Sequence, residues 1–508
     1  MPLRERPLPG QPSLRYLKLE AKRRLAAGEF AILHDAQLAV AREYGQPSWA
    51  ALKRLVAAPA AAGNPALAQL HWVIARFKHA GSPGWTPPGE DELREHFSDE
   101  FLAAVPADRL VEMITSAAPA SRGEVVVTSQ TARAVRVRIG SLDVTAAAAP
   151  DPPHQLTGFR ALVLGGMAAD PRAAAPPLHR AGGEVPGWAE AAAGAVLGEL
   201  GLPGVMLAGG SPGGRPWALA AGWADLDRAE ALQASHRLPA SGVSGLVTAV
   251  AVLRLVAAGH VGLDRPANGY LHTVRLADDS VTVRELLAGT GGVDSPAGPE
   301  LLADEVPDLA VMTGPVIACG GPRGVVRPSN GGIAALGQLL AEVTATPFAE
   351  AAARLVLRPL GMSESSFPGR PAAFGPRAVS GYGMGVDGLF VPVPAKVCTL
   401  PAAGGLWATA PDLVRLGAGW ASLLPAGLAR DALTAVPGSG GEELGGGLGW
   451  FLTPRGDVAL SSGSLPGSTA SLLVRVRDGR ALVAMTTRQV PVGLIHTRVL
   501  RAWADAAR

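Results

Sequence analysis

The chain has 508 residues, of which 48% are hydrophobic and 17% charged, too long for a single core and apolar enough to be mostly globular, so two or three domains are expected. Its 45 basic and 43 acidic residues leave a formal charge of +2. That balance excludes the electrostatic footprint of a nucleic-acid binder or of a protein held on an anionic membrane.

The first ten residues carry charge and proline but no apolar stretch of the secretory kind. The most apolar run, around Leu246 to Leu253, is too short to span a bilayer and is closed by Arg254. A cytoplasmic location is expected. Cys319 and Cys398 read as reduced core thiols, with a bridge between them left open. No cofactor or metal site is expected, and the oligomeric state is left open.

In chain order, residues 13–56 predict two helices, with Leu14, Leu17, Ala21 and Leu25 on one face of the first. The stretch from Asp35 to Lys53 resembles a short helical module found at the N-terminus of various bacterial proteins, with Ser48 as the N-cap of a helix that buries Trp49 and Leu52. A small-residue linker follows at 57–65. Residues 67–77 are helical, with Leu70, Val73, Ile74 and Phe77 on one stripe. Glu124–Thr128 is a short apolar strand, and Ala134–Ile139 alternates with period two. Helices followed by a meander predict a small α+β domain over 65–165. It resembles the cystatin-like, or steroid-isomerase-like, domain that precedes a β-lactamase-like domain in some actinobacterial proteins. His96 and His154 are its candidate polar groups for a ligand, and each reads first as an ordinary loop or core-edge histidine.

Beyond a second linker near Ala173–Gly183, the segment 185–508 carries the informative motifs. Trp188–Leu200 is an amphipathic helix, and Pro203–Ala208 and Arg215–Asp225 are paired strands. Leu238-Pro-Ala-Ser-Gly-Val-Ser-Gly245 is a Gly/Ser turn that opens a long apolar helix, and Asp264-Arg-Pro266 follows it. Asp478-Gly479 between two apolar runs predicts a type I′ hairpin, and 492–507 a closing helix.

The helix, the turn, Leu286-Leu-Ala-Gly-Thr-Gly-Gly292, Leu355–Met362 and Pro401–Leu413 together resemble the serine β-lactamase, penicillin-binding protein and esterase superfamily. The resemblance implies an antiparallel sheet flanked by helices plus an all-helical subdomain over 185–508. The whole chain is then α+β, with a helical module at 1–57, the cystatin-like domain and this larger domain.

The same resemblance implies a serine nucleophile in Ser-x-x-Lys, a Tyr-x-Asn and a Lys- or His-x-Gly on the facing strand. Here those motifs read Gly242-Val-Ser-Gly245, Pro328-Ser-Asn330 and Ser461-Ser-Gly463, and the family's His-Thr-Ser reads Gly289-Thr-Gly291. Ser241 and Ser244 stand near the nucleophile position, but neither has a lysine three residues on. Lys396 is the sole lysine of this region. Ser244 at a helix start reads as an N-cap.

Loss of these side chains is expected to widen and discharge the cleft. It would leave helix N-terminal N–H groups beside Gly242, Gly245, Ser329, Asn330, Ser461, Ser462, Gly463 and Ser464, a set suited to a neutral or anionic small-molecule ligand. Three readings follow. The first is a member of the superfamily that binds a ligand or partner and does not acylate. The second is a repurposed isomerase or cyclase of small-molecule biosynthesis. The third is an esterase or amidase with a displaced Ser241 or Ser244 and Lys396.

Overall fold

A computed structural model describes residues 23–25, 30, 33–43, 49, 64–78, 80, 85–117, 123–130, 133–140, 142–149, 151–163, 170–295, 302–327, 329–384, 389–436, 445–490, 492–493, 495, 499 and 502–503. Ser48, Leu52, Pro328 and most of the linker at 57–65 lie outside these residues, as does much of the expected helix at 492–507. The chain divides into two compact units, Met1–Val163 and Leu164–Arg508.

In the first unit, α1 (Leu33–Glu43) precedes α2 (Pro65–Phe77), which starts at an Asn64 cap whose side chain accepts from Leu67 N. Helices α3 (Glu90–His96), α4 (Asp99–Ala104) and α5 (Ala107–Ala117) lead into four strands. These are β1 (Val125–Gln130), β2 (Ala134–Ile139), β3 (Leu142–Ala148) and β4 (Leu156–Val163), paired as an antiparallel meander in sequence order. Alternation along β2 buries Val135, Val137 and Ile139 on one face. Leu70, Val73, Phe77, Ile139 and Phe159 line a cavity of about 30 Å³.

Neither histidine lines that cavity. His96 stacks on Trp72 at 3.7 Å, and its Nδ1 meets Gln69 Oε1 at 2.7 Å. Burial pushes its pKa down. His154 Nδ1 meets the Ala149 carbonyl at 3.0 Å.

The second unit is built on an antiparallel sheet, nine-stranded among the described residues. Its longer strands are β5 (Leu178–Gly182), β6 (Gly204–Gly210), β7 (Trp217–Asp225), β8 (Val458–Leu465), β9 (Ser468–Arg475) and β10 (Ala481–Thr486), side by side in the order β8-β9-β10-β6-β7-β5. Phe451–Leu452 pairs outside β8, with Phe451 opposite Leu460.

Both faces of the sheet are covered, and the period of two sorts its residues between them. Val205, Leu207, Leu473 and Leu482 pack on one side with Val196 and Leu197 of α6 (Gly187–Leu200). Met206, Ala208, Leu472 and Val483 pack on the other with Leu246, Val250 and Leu253 of α7 (Val243–Ala257). Helix α7 is apolar all round and buried from Val243 to Leu253, as an interior helix must be.

Around it lie α8 (Val283–Ala288), α9 (Asn330–Thr344), α10 (Pro401–Gly404) and α11 (Ala410–Gly419). The architecture is the expected antiparallel sheet flanked by helices. Cys319 and Cys398 are both free thiols. No helix among the described residues is long and apolar enough to cross a membrane.

The β9–β10 hairpin corrects the type I′ expectation. Gly479 alone has a positive φ, 68°, whereas a type I′ turn needs two such residues. Gly479 N–H donates to Arg475 O at 2.8 Å, closing a longer loop. Asp478 instead holds Arg475 through both carboxylate oxygens, at 2.9 and 2.6 Å.

Candidate functional site

The start of α7 faces the middle of β8, as the family resemblance implies. A cleft of about 130 Å³ opens there, bounded by α8, α9, α10 and residues 449–451. Gly242, Gly245, Ser329, Asn330, Ser461 and Ser462 line it. Gly463 and Ser464 are not among its lining residues, nor are Ser241, Ser244 and Lys396.

Gly242 is the N-cap of α7. Its backbone lies against β8, so a Cβ there would overlap the Ser462 carbonyl oxygen and stand 3.2 Å from Gly463 Cα. The reciprocal holds, because a Cβ on Gly463 would stand 2.8 Å from Gly242 Cα. The space a side chain would need is filled by main chain. At Gly245 a Cβ would meet Ile333 Cγ2 at 3.6 Å, an ordinary contact, so the volume beyond it belongs to the Ile333 side chain. The expected widening does not occur at these two positions: strand backbone closes one and an isoleucine occupies the other.

Both serines near the turn are buried. Ser244 lies in the first turn and is fully buried. Its Oγ donates to Ser241 O at 2.6 Å and accepts from Leu406 N at 3.0 Å. It is therefore not the N-cap that the helix start suggests. Ser241 is buried at φ 49°, and its Oγ has no hydrogen-bond partner among the described residues.

Lys396 is half-buried on a separate small cavity that it lines with Cys398, Gly404, Leu465 and Pro466. Burial pushes the Cys398 thiol up to about 11, so it stays protonated at neutral pH.

The N–H groups expected at the helix start are also engaged. Val243, Ser244 and Gly245 donate to the carbonyls of Ala240, Ser241 and Gly242 at 3.1, 3.0 and 3.1 Å. Tight first-turn bonds of this kind leave little of the helix's donor capacity for an anion. At α9, Ser329 Oγ caps Gly332 N at 3.0 Å, and Asn330 N donates to Ser295 Oγ at 3.0 Å. The Asn330 side-chain amide and the hydroxyls of Ser461 and Ser462 make no hydrogen bond among the described residues.

Residues 187–504 match the Beta-lactamase family model. The chain belongs to the Beta-lactamase family. Its fold is similar to that of the class C beta lactamase from Rhodobacter sphaeroides, at 17% identity and TM-score 0.52, over 63% of this chain and 99% of that one. It is also similar to the D-amino acid amidase from Ochrobactrum anthropi SV3 solved with L-phenylalanine amide, at 21% identity and TM-score 0.51, over 61% and 95% of the two chains. SurE is similar at 25% identity and TM-score 0.51, over 60% of this chain and 72% of that one. No curated protein matches the chain.

This Beta-lactamase-family cleft has walls that motif spacing does not reveal. Leu246, Leu286, Val293, Ile333, Trp450 and Phe451 make most of it apolar. Ile333 was within reach of sequence reasoning, since it lies three residues after Asn330 and shares its helix face. Trp450 and Phe451 arrive only through pairing with β8. Two charged groups also line the cleft. Arg327 bonds Asp294 at 3.0 Å, and Glu285 takes Arg323 on both oxygens at 2.6 and 2.7 Å. Burial opposes ionisation of Glu285, but Arg323 and the Thr282 cap outweigh it and hold its pKa below the usual value. Among the described residues, no group of His, Cys, Asp and Glu is placed to hold a metal.

Proposed function

We propose that this Beta-lactamase-family protein binds a small polar molecule in the cleft between α7, α9 and β8 and does not acylate itself there. The observation that carries this reading is the contact of the Gly242 backbone with the Ser462 carbonyl. A nucleophile at that position has neither a side chain nor room for one. Ile333 beside Gly245 and the engaged hydroxyl of Ser244 support the same reading. A serine with no general base is a weak nucleophile at neutral pH.

Proteins of similar fold include an amidase and EstCE1, a hydrolase with promiscuous acyltransferase activity. A hydrolase reading of this chain would need Ser241 or Ser244 paired with Lys396. Ser244 has both hydrogen-bonding roles filled, and Lys396 lines another cavity.

Hydrolysis of p-nitrophenyl butyrate by the full chain tests the proposal. The rate stays at buffer background, and Ser241→Ala, Ser244→Ala and Lys396→Ala leave it there. A rate above background that any of the three abolishes would overturn it.

A further inference from the structure

Helices α9 and α10 each line two cavities. Gly332, Ile333 and Ala403 line the cleft, whereas Ala334, Gly337 and Ala402 line a second cavity of about 340 Å³. The two share no lining residue. The seam between the helices is closed, since a Cβ on Gly337 would stand 2.4 Å from Ala402 Cβ. The second cavity is larger than the cleft and reaches the size of small-molecule sites, roughly 300–1,000 Å³.

Its body is apolar and aromatic. Phe348 and Phe367 cross edge to face with ring centroids 5.0 Å apart, and Leu309, Pro347 and Leu400 extend the wall. A ligand ring packs well on such a pair.

Polar lining groups are few. Gln338 donates to Glu342 Oε1 at 2.8 Å, and Thr399 is buried. Asp308 is the one ionisable side chain in the lining among the described residues. It is exposed, and although it precedes the short helix Leu309–Thr313, its carboxylate does not cap that helix. It makes no hydrogen bond or ion pair among the described residues. Asp304 and Glu305 come just before it and Arg370 follows Gly369; all three are exposed and none lines the cavity. A free carboxylate at the rim of an aromatic cavity attracts a cation and repels an anion.

We infer that this cavity is a second small-molecule site, selective for aromatic amines. The ring packs on Phe348 and Phe367, and the ammonium stays hydrated beside Asp308. The site is separate from the cleft and does not rest on how the cleft is read.

2-Phenylethylamine, 2-phenylethanol and phenylacetate are cationic, neutral and anionic at pH 7 on nearly the same frame. Titrated into the full chain by calorimetry, the amine binds about threefold more tightly than the alcohol, within the range of an exposed ion pair. Phenylacetate binds weakest. Asp308→Asn removes the advantage of the amine and leaves the affinity of the alcohol unchanged. High salt does the same by screening. Ala349 lines the cavity at an exposed position, so Ala349→Trp fills the space and abolishes binding of all three compounds, with an unchanged urea midpoint showing the fold intact.

An amine bound no more tightly than the alcohol would overturn the inference. So would binding that survives Ala349→Trp, or failure of the amine to bind. None of these outcomes bears on acylation in the cleft, which the esterase assay tests separately.

Discussion

The backbones of Gly242 and Gly463 lie so close that neither position has room for a side chain. A serine at position 242 places its Cβ on the Ser462 carbonyl, so β8 must move to admit it. Overpacking of this kind costs roughly 1–3 kcal/mol. Gly242→Ser is therefore expected to lower the urea unfolding midpoint and to gain no esterase activity. A variant as stable as the parent would show that the strand has room. That glycines stand at the motif positions 242 and 245 was legible in the sequence. That the space had closed was not. Closure depends on how near β8 comes to α7, more than two hundred residues away along the chain, and on the side chain of Ile333.

At the scale of elements, the two glycines of α7 are expected to behave oppositely. Gly245 lies in the first turn, where an added Cβ makes only ordinary contact with Ile333. Alanine there removes unfolded-chain entropy and improves helix propensity, worth about 0.4–1 kcal/mol. Gly245→Ala is expected to leave stability unchanged or raise it slightly, measured by the same urea titration that records a loss for Gly242→Ser. A large loss at Gly245 would mean that Ile333 is packed more rigidly than its contacts imply.

The long elements were legible because their patterns are strong. Helix α7 reads as a continuous apolar run, and β9 and β10 as apolar runs flanking Asp-Gly. The turn between those strands was not, since Asp478 is held by Arg475 and only Gly479 takes the left-handed conformation. The first-turn hydrogen bonds of α7 were equally invisible. A helix start in sequence shows where donors lie, not whether the preceding carbonyls have taken them.

Across the second unit as a whole, Asp170 joins distant parts of the chain. Its carboxylate accepts from the Arg172 guanidinium and from Phe390 N–H at 3.0 Å, and Arg172 also donates to Phe390 O at 2.8 Å. The Arg172 hydrogen bond is the main cause that lowers the Asp170 pKa from 3.8 to about 2. A carboxylate depressed in the folded state contributes stability above its unfolded pKa and loses it as the proton returns. That contribution is complete above about pH 4, falls away toward pH 2, and is worth about 2 kcal/mol. Asp170→Asn is expected to flatten the acid limb of a stability–pH curve in that window. An unchanged acid limb would place the titrating group elsewhere.

The family resemblance was legible over residues 185–508, because its motif positions recur in order from Gly242 to Gly463, and the family model matches residues 187–504. The loss of charged side chains from its cleft was legible from the motif positions, whereas its apolar walls were not, because Val293, Ile333 and Phe451 come together only in the folded chain.

Intact-protein mass spectrometry, after incubation with a fluorophosphonate and separately with penicillin, tests whether the cleft forms an acyl-enzyme. The unmodified mass is expected with both probes. A stoichiometric adduct mapped to Ser241, Ser244, Ser461 or Ser462 would contradict it.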